Sequence, residues 1–141
     1  MKRKSRGHAI VELSLMMPWI FFLFVGALDF GFYSYALIAV QNAARVGALS
    51  TGYNAQSASS QPDACFHARR ELSMMPNSAS FLLTCNAAPL VVTATAFTDA
   101  EGMAASRVQV AYDTVQLIPI PGVVPGQMTI SRSVEVRVYG E

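Results

Sequence analysis

The chain has 141 residues, enough for one modest domain plus an anchor. Hydrophobic residues make up 52% and charged residues 13%, low in charge for a wholly soluble domain. Net charge is +1, but four of the ten basic side chains (Lys2, Arg3, Lys4 and Arg6) stand at the start, so residues 8–141 carry net negative charge and offer nucleic acid no basic surface.

Behind that head, residues 7–52 form the dominant stretch. Leu13 to Leu28 carries no charge, and Pro18 is its only helix breaker. A run this apolar belongs in lipid or against a large apolar partner. Read as one helix, residues 7–52 extend roughly 68 Å, whereas a bilayer core needs about 30 Å. The helix is therefore expected to start in a membrane and run well out of it. The basic head predicts a cytoplasmic N-terminus and a body on the far side.

Three readings of the head compete. A secretory signal peptide would be cut near Val25-Gly26-Ala27. A signal anchor would stay uncut. A prepilin-type leader would be cut after Gly7. Glu12 discriminates between them, because a lone carboxylate in an apolar helix costs a few kcal/mol. Cutting after Gly7 frees the amine of His8, one helical turn from Glu12. Glu12 can then pair with that amine or with the amine of an adjacent subunit.

Gly7-His8-Ala9-Ile10-Val11-Glu12-Leu13 ahead of an apolar helix resembles a type IVb prepilin leader. Pro18, Asp29-Phe30-Gly31 and Asn42-Ala43-Ala44-Arg45-Val46-Gly47-Ala48 narrow the resemblance to the TadE-like family. Members are minor pseudopilins of tight-adherence (Tad, or Flp) pilus assembly. Leu13 stands where that family usually carries an aromatic residue. The resemblance implies processing at Gly7 and His8 by a prepilin peptidase. It also implies a single-pass protein of the bacterial inner membrane with a periplasmic body. The implied partners are inner-membrane lipid, other pilin-like subunits and Tad assembly proteins.

Further along, Ser34, Gln41 and Arg45 lie within about 40° of one another on a helical wheel, giving a stripe that faces water. Ala36, Ala39, Ala43, Ala44, Gly47 and Ala48 allow close approach of another element, in a pilin-like fold the subunit's own sheet. Pro18 is expected to kink or loosen the helix. Asp29 reads as a residue at the membrane surface.

Gly52 reads as the helix C-cap, followed by a Ser/Gln/Ala loop. Pro62 opens a short helix in which Cys65, Phe66, Leu72 and Met75 recur at helical spacing. Strands are expected at 81–85, 90–97, 107–117 and 128–139, with turns at 99–102 and 119–126. The apolar side chains of the second turn form a contact surface or fold back on the sheet.

Cys65 and Cys85 both fall beyond the apolar stretch. An oxidising compartment favours a disulfide, which would contribute about 3 kcal/mol; two buried thiols are the alternative. Cys65, His67 and Cys85 match no recognised zinc spacing, so no metal or other cofactor is expected. Phosphate-binding glycine loops and nucleophile motifs are missing, which argues against an enzyme.

The expected fold is α+β and pilin-like: a long N-terminal transmembrane helix on a small antiparallel sheet of three to four strands. Its parts are a leader (1–7), a helix (8–52) membrane-embedded to about residue 31, and a periplasmic body (53–141). The expected function is that of a TadE-like minor pseudopilin. The competing function is a signal-anchored or secreted β-rich envelope binding module.

Overall fold

The computed structural model describes residues 6–81, 83–115 and 126–139. The basic residues Lys2 to Lys4 and most of the expected turn at 119–126 lie outside them.

Helix α1 (Arg6–Thr51) runs unbroken through Pro18. At 46 residues it is about 69 Å long. Its two halves meet different surroundings. Ile10 to Phe24 are exposed, and so are Gly26, Ala27, Leu28, Phe30 and Gly31. From Ala36 onward one face is buried: Ala36, Val40, Ala43, Ala44, Ala48 and Thr51. These positions recur every three to four residues, so a single stripe of the helix faces the body.

Helix α2 (Gln61–Glu71) starts with Ser60 before it and Pro62 in its first turn, as the sequence predicts. The Ser60 hydroxyl donates to the Asp63 carboxylate at 2.6 Å. Ala64 and Ala68 are buried. Two 3₁₀ turns follow, Leu72–Met74 and Ser78–Phe81.

The sheet is antiparallel, in the order β1 (Asn86–Ala87), β2 (Leu90–Thr98), β3 (Ala104–Asp113) and β4 (Thr129–Arg137). Its inner face presents Leu90, Val92, Val108, Val110, Tyr112 and Ile130 to the helices. Fully burying side chains of this size contributes about 1.5–3 kcal/mol each. The outer face is polar. Arg107 pairs with Glu135 at 2.8 Å and lies 4.8 Å over the Phe97 ring, while Gln109 donates to Ser131. This alternation is the period-two pattern that the sequence carries.

Two expectations need correction. The segment 81–85 is no strand. Phe81 instead turns into the core and meets Tyr112 edge-to-face at 6.1 Å. Cys85 is bonded to Cys65 on α2, and pairing begins only at Asn86. The third strand starts three residues early, at Ala104, and ends at Asp113. Helix α1 meets the sheet as expected, and α2 also packs along it. A Cβ on Gly47 would meet Val108 of β3 at 3.2 Å and the Ala64 carbonyl oxygen of α2 at 3.6 Å.

Gly52 follows the last helical residue, and its amide bonds the Ala48 carbonyl at 2.9 Å. Its lack of a side chain serves close packing. A Cβ there would come within 2.8 Å of Val136. The expected turn at 99–102 is present as the β2–β3 hairpin, where Gly102 takes φ +82°.

Candidate functional site

The site begins with what α1 leaves uncovered. A helix this apolar inside a soluble protein would be mostly buried. Here only 6% of its most apolar 18-residue window is buried, and the helix is long and apolar enough to cross a membrane. From Leu13 to Phe24 aliphatic and aromatic side chains point outward on every side, among them Leu15, Trp19, Phe21 and Leu23. An all-round apolar surface of this kind is stable only against lipid or other helices.

Into this surface the chain sets a few polar groups. His8 and Glu12 are exposed and lie one turn apart on the same side of α1, about 5–6 Å between their Cβ atoms. Pro18 has no amide hydrogen, so the Ser14 carbonyl lacks its helical donor. The Ser14 hydroxyl bonds back to the Ile10 carbonyl at 2.9 Å, which satisfies another polar group without leaving the helix. Asp29 is half-buried, and Gly31 has open space where a Cβ would stand. Arg45 is exposed on the body half, as is Gln41. Ser34 departs from the expected water-facing stripe, being half-buried with its hydroxyl on the Phe30 carbonyl. Among the described residues Glu12, Asp29 and Arg45 make no ion pair. The residues singled out by the sequence therefore do not gather in one pocket. His8, Glu12, Pro18 and Gly31 are spread along the exposed stretch together with half-buried Asp29, Gly7 precedes them in the helix, and Arg45 is exposed on the body half.

The body is built to hold that half steady. Cys65 and Cys85 form a disulfide with Cα atoms 5.8 Å apart, tying α2 to the start of the sheet. Thr51, the last residue of α1, sits 2.7 Å from the Ser106 hydroxyl, which donates to the Ala58 carbonyl at 2.7 Å. Thr51 and Ser106 are buried, and this relay satisfies both while joining helix, loop and sheet. The Gln61 side-chain amide donates to the Val92 carbonyl and accepts from the Ala94 amide at 3.3 Å. It fastens α2 to β2 beyond the reach of the two-residue β1. The Tyr112 hydroxyl donates to Asn77 Oδ1, and Asn77 Nδ2 donates to the Asp113 carbonyl at 3.1 Å. Burial pushes the Tyr112 hydroxyl pKa up to about 12, so it stays a donor. None of these polar anchors carries a local sequence signal, because each joins residues distant in the chain.

Among the described residues no group of three or more His, Cys, Asp or Glu side chains is placed to hold a metal ion. The β2–β3 hairpin flanks an open cleft of about 450 Å³ lined by Phe97, Asp99, Glu101, Glu135 and Arg137. Arg137 bonds Asp99 and Glu101 at 2.7 Å each, so this charge is internally matched.

No curated protein and no solved structure matches the chain. A family model described as TadE-like protein matches residues 7–49. The matched stretch takes in the whole uncovered half of α1 and most of the stripe that packs on the body. The likeness to the TadE-like family is thus confined to residues 7–49, a stretch that includes Gly7, Glu12 and the Asn42-Ala43-Ala44-Arg45 segment.

Proposed function

We propose that the protein is a membrane-anchored minor pseudopilin of a Tad-type pilus assembly system, structural rather than catalytic. A prepilin peptidase cuts it after Gly7. The helix from His8 to about residue 31 lies in the inner membrane, and the body stands in the periplasm. Other pilin-like subunits and Tad assembly proteins are its partners.

One observation carries the reading. A single helix is half built into a folded body and half largely exposed, and the charged side chains of the exposed half are Glu12, one turn from His8, and Asp29 near the body. The bare half suits side-by-side packing with equivalent helices in lipid. Glu12 then has a physical role as the counter-charge of an N-terminal amine, its own or a neighbour's. The TadE-like match over residues 7–49 supports the same assignment.

The test is complementation of a deletion strain, scoring pili and protein level together. Glu12→Leu removes a costly charge from lipid, so the variant should accumulate in the membrane. It also strands an amine without its partner, a change of about 3–5 kcal/mol in buried settings. Piliation should be lost, with Glu12→Asp intermediate. Normal piliation at normal abundance of Glu12→Leu would remove the pairing role.

A further inference from the structure

The body has two poles, and the packing of α1 tells them apart. Gly52 stands against Val136 and Gly47 against Val108. Val136 pairs with Ser106 and Val134 with Val108 across β3 and β4. Moving from Gly52 to Gly47 covers about 7.5 Å of helix, and moving from Ser106 to Val108 covers about 6.6 Å of strand. The helix thus runs alongside the strands in the sense opposite to β3. Tyr112 and Ile130 lie roughly 13 Å further along, level with the helix near residues 36–40. Ala36 and Val40 indeed share one core cluster with Tyr112, Ile130, Leu72, Met75 and Phe81. Asn77, bonded to Tyr112 and Asp113, holds the segment from Leu72 to Phe81 at that level. This is the pole from which the bare half of α1 emerges.

Around that pole lie large apolar side chains with no work in the core. Met74 is 82% exposed and Met128 38%, beside Leu72, Met75 and Phe81, which are buried. Met128 is bonded to Thr114 at the same end of the sheet. Arg69 and Arg70 close α2 just above, with Glu71 beside them.

We propose that this pole rests on the bilayer, with Met74 and Met128 in the interfacial layer. The inference rests on the membrane-anchor reading above. Its argument is continuity and length. From His8 to Gly31 every residue is exposed except buried Val25 and half-buried Asp29; this stretch is about 36 Å long, and the hydrocarbon core takes about 30 Å of it. The remaining 6 Å or so is about the thickness of one interfacial layer. No spacer separates the lipid from the body, so the pole around the helix exit must meet headgroups. Apolar side chains are stabilised there by burial at the headgroup–acyl boundary, and basic ones by anionic lipid.

The chain's one tryptophan, Trp19, lies in the bare half and makes the test direct. The full-length protein is reconstituted into phosphatidylcholine–phosphatidylglycerol vesicles containing lipids brominated near the carbonyl end of the acyl chain or near its methyl end. Tryptophan is then moved, using Trp19→Phe with Met74→Trp, or Trp19→Phe with Tyr53→Trp. Tyr53, 77% exposed, marks the opposite pole, where the Tyr139 amide bonds the Gly52 carbonyl. At position 74 the shallow bromines should remove at least about half of the emission, while position 53 should stay unquenched. Equal quenching at 74 and 53 would overturn the lipid contact. A blue-shifted but unquenched signal at 74 that grows with protein-to-lipid ratio would assign the pole to a second copy and also overturn it. Native Trp19 separates this failure from a failure of the anchor reading. If acyl-chain bromines at either depth quench Trp19 but not position 74, only the contact falls. If no bromines quench Trp19, the anchor itself falls and the contact with it.

Discussion

The two halves of α1 share one backbone helix and differ in nearly everything else. The body half presents alanine, glycine and Val40 to its neighbours, and each added atom there has something to strike. The bare half carries the largest side chains of the helix, and a Cβ on Gly26 or Gly31 would meet nothing within 4 Å. Side-chain size is therefore inverted relative to burial. In a soluble protein large apolar residues go inside and small ones are tolerated outside. Here the inversion divides one helix between two solvents. The fold stabilises the C-terminal half, and the membrane or a neighbouring helix must accommodate the other.

The contrast can be broken most strongly at the disulfide. Replacing Cys65 and Cys85 by serine releases a loop of 20 residues in sequence separation. The loss should be about 3 kcal/mol, lowering the body's Tm by on the order of 10–20 °C. Near-UV circular dichroism of the full chain in detergent measures it. The far-UV helical signal of the exposed half should largely persist after the body has melted, because from His8 to Phe24 every side chain is exposed.

A smaller effect sharpens the contrast with one methyl group. Gly52→Ala places a Cβ against Val136, whose branched side chain has little freedom to move, and against two backbone carbonyl oxygens within 3.4 Å. Overpacking of this kind costs about 1–3 kcal/mol. Gly31→Ala adds the same atom in open space and should leave the body's Tm unchanged. Thermal unfolding of the two variants side by side checks the pair. Equal effects would mean that the halves are not as different as their packing indicates.

The smallest expected effect lies at the β2–β3 hairpin. The Met103 amide, then the Glu101 amide and the Arg137 guanidinium, bond the Asp99 carboxylate and hold its pKa below the ordinary 3.8, against an opposing push from desolvation. A depressed carboxylate stabilises the fold above its unfolded value, and that contribution is lost as pH falls through the lower folded value. The amide resonances of Glu101 and Met103 should titrate together with a midpoint below 3.8. Tyr33, packed against the core near the helix exit, should not follow them.

Much of this was legible in the chain. Val108, Val110 and Tyr112 alternate with polar neighbours, so strand β3 announces its buried face. Pro62 marks the start of α2, and the two cysteines beyond the apolar run indicate their own pairing. The segment 81–85 misled, because an apolar run of strand length says nothing about a 3₁₀ turn that sends Phe81 inward. Gly52 read as a cap chosen for backbone freedom, yet its φ is not positive, and β4 is what requires it. The relay from Thr51 through Ser106 to Ala58 was invisible, since hydroxyls separated by 55 and 48 positions leave no pattern. At the candidate site Glu12 stood out for a simple reason: a carboxylate in an apolar run has a cost that demands a cause.

The central claim is that the bare half begins at His8 with a free amine facing Glu12. Intact mass and N-terminal sequencing of protein extracted from native membranes test it most directly. The account predicts a mature chain that starts at His8 and keeps the whole of the apolar helix. A chain starting at Leu28, or one retaining Met1 beside an active prepilin peptidase, would contradict it.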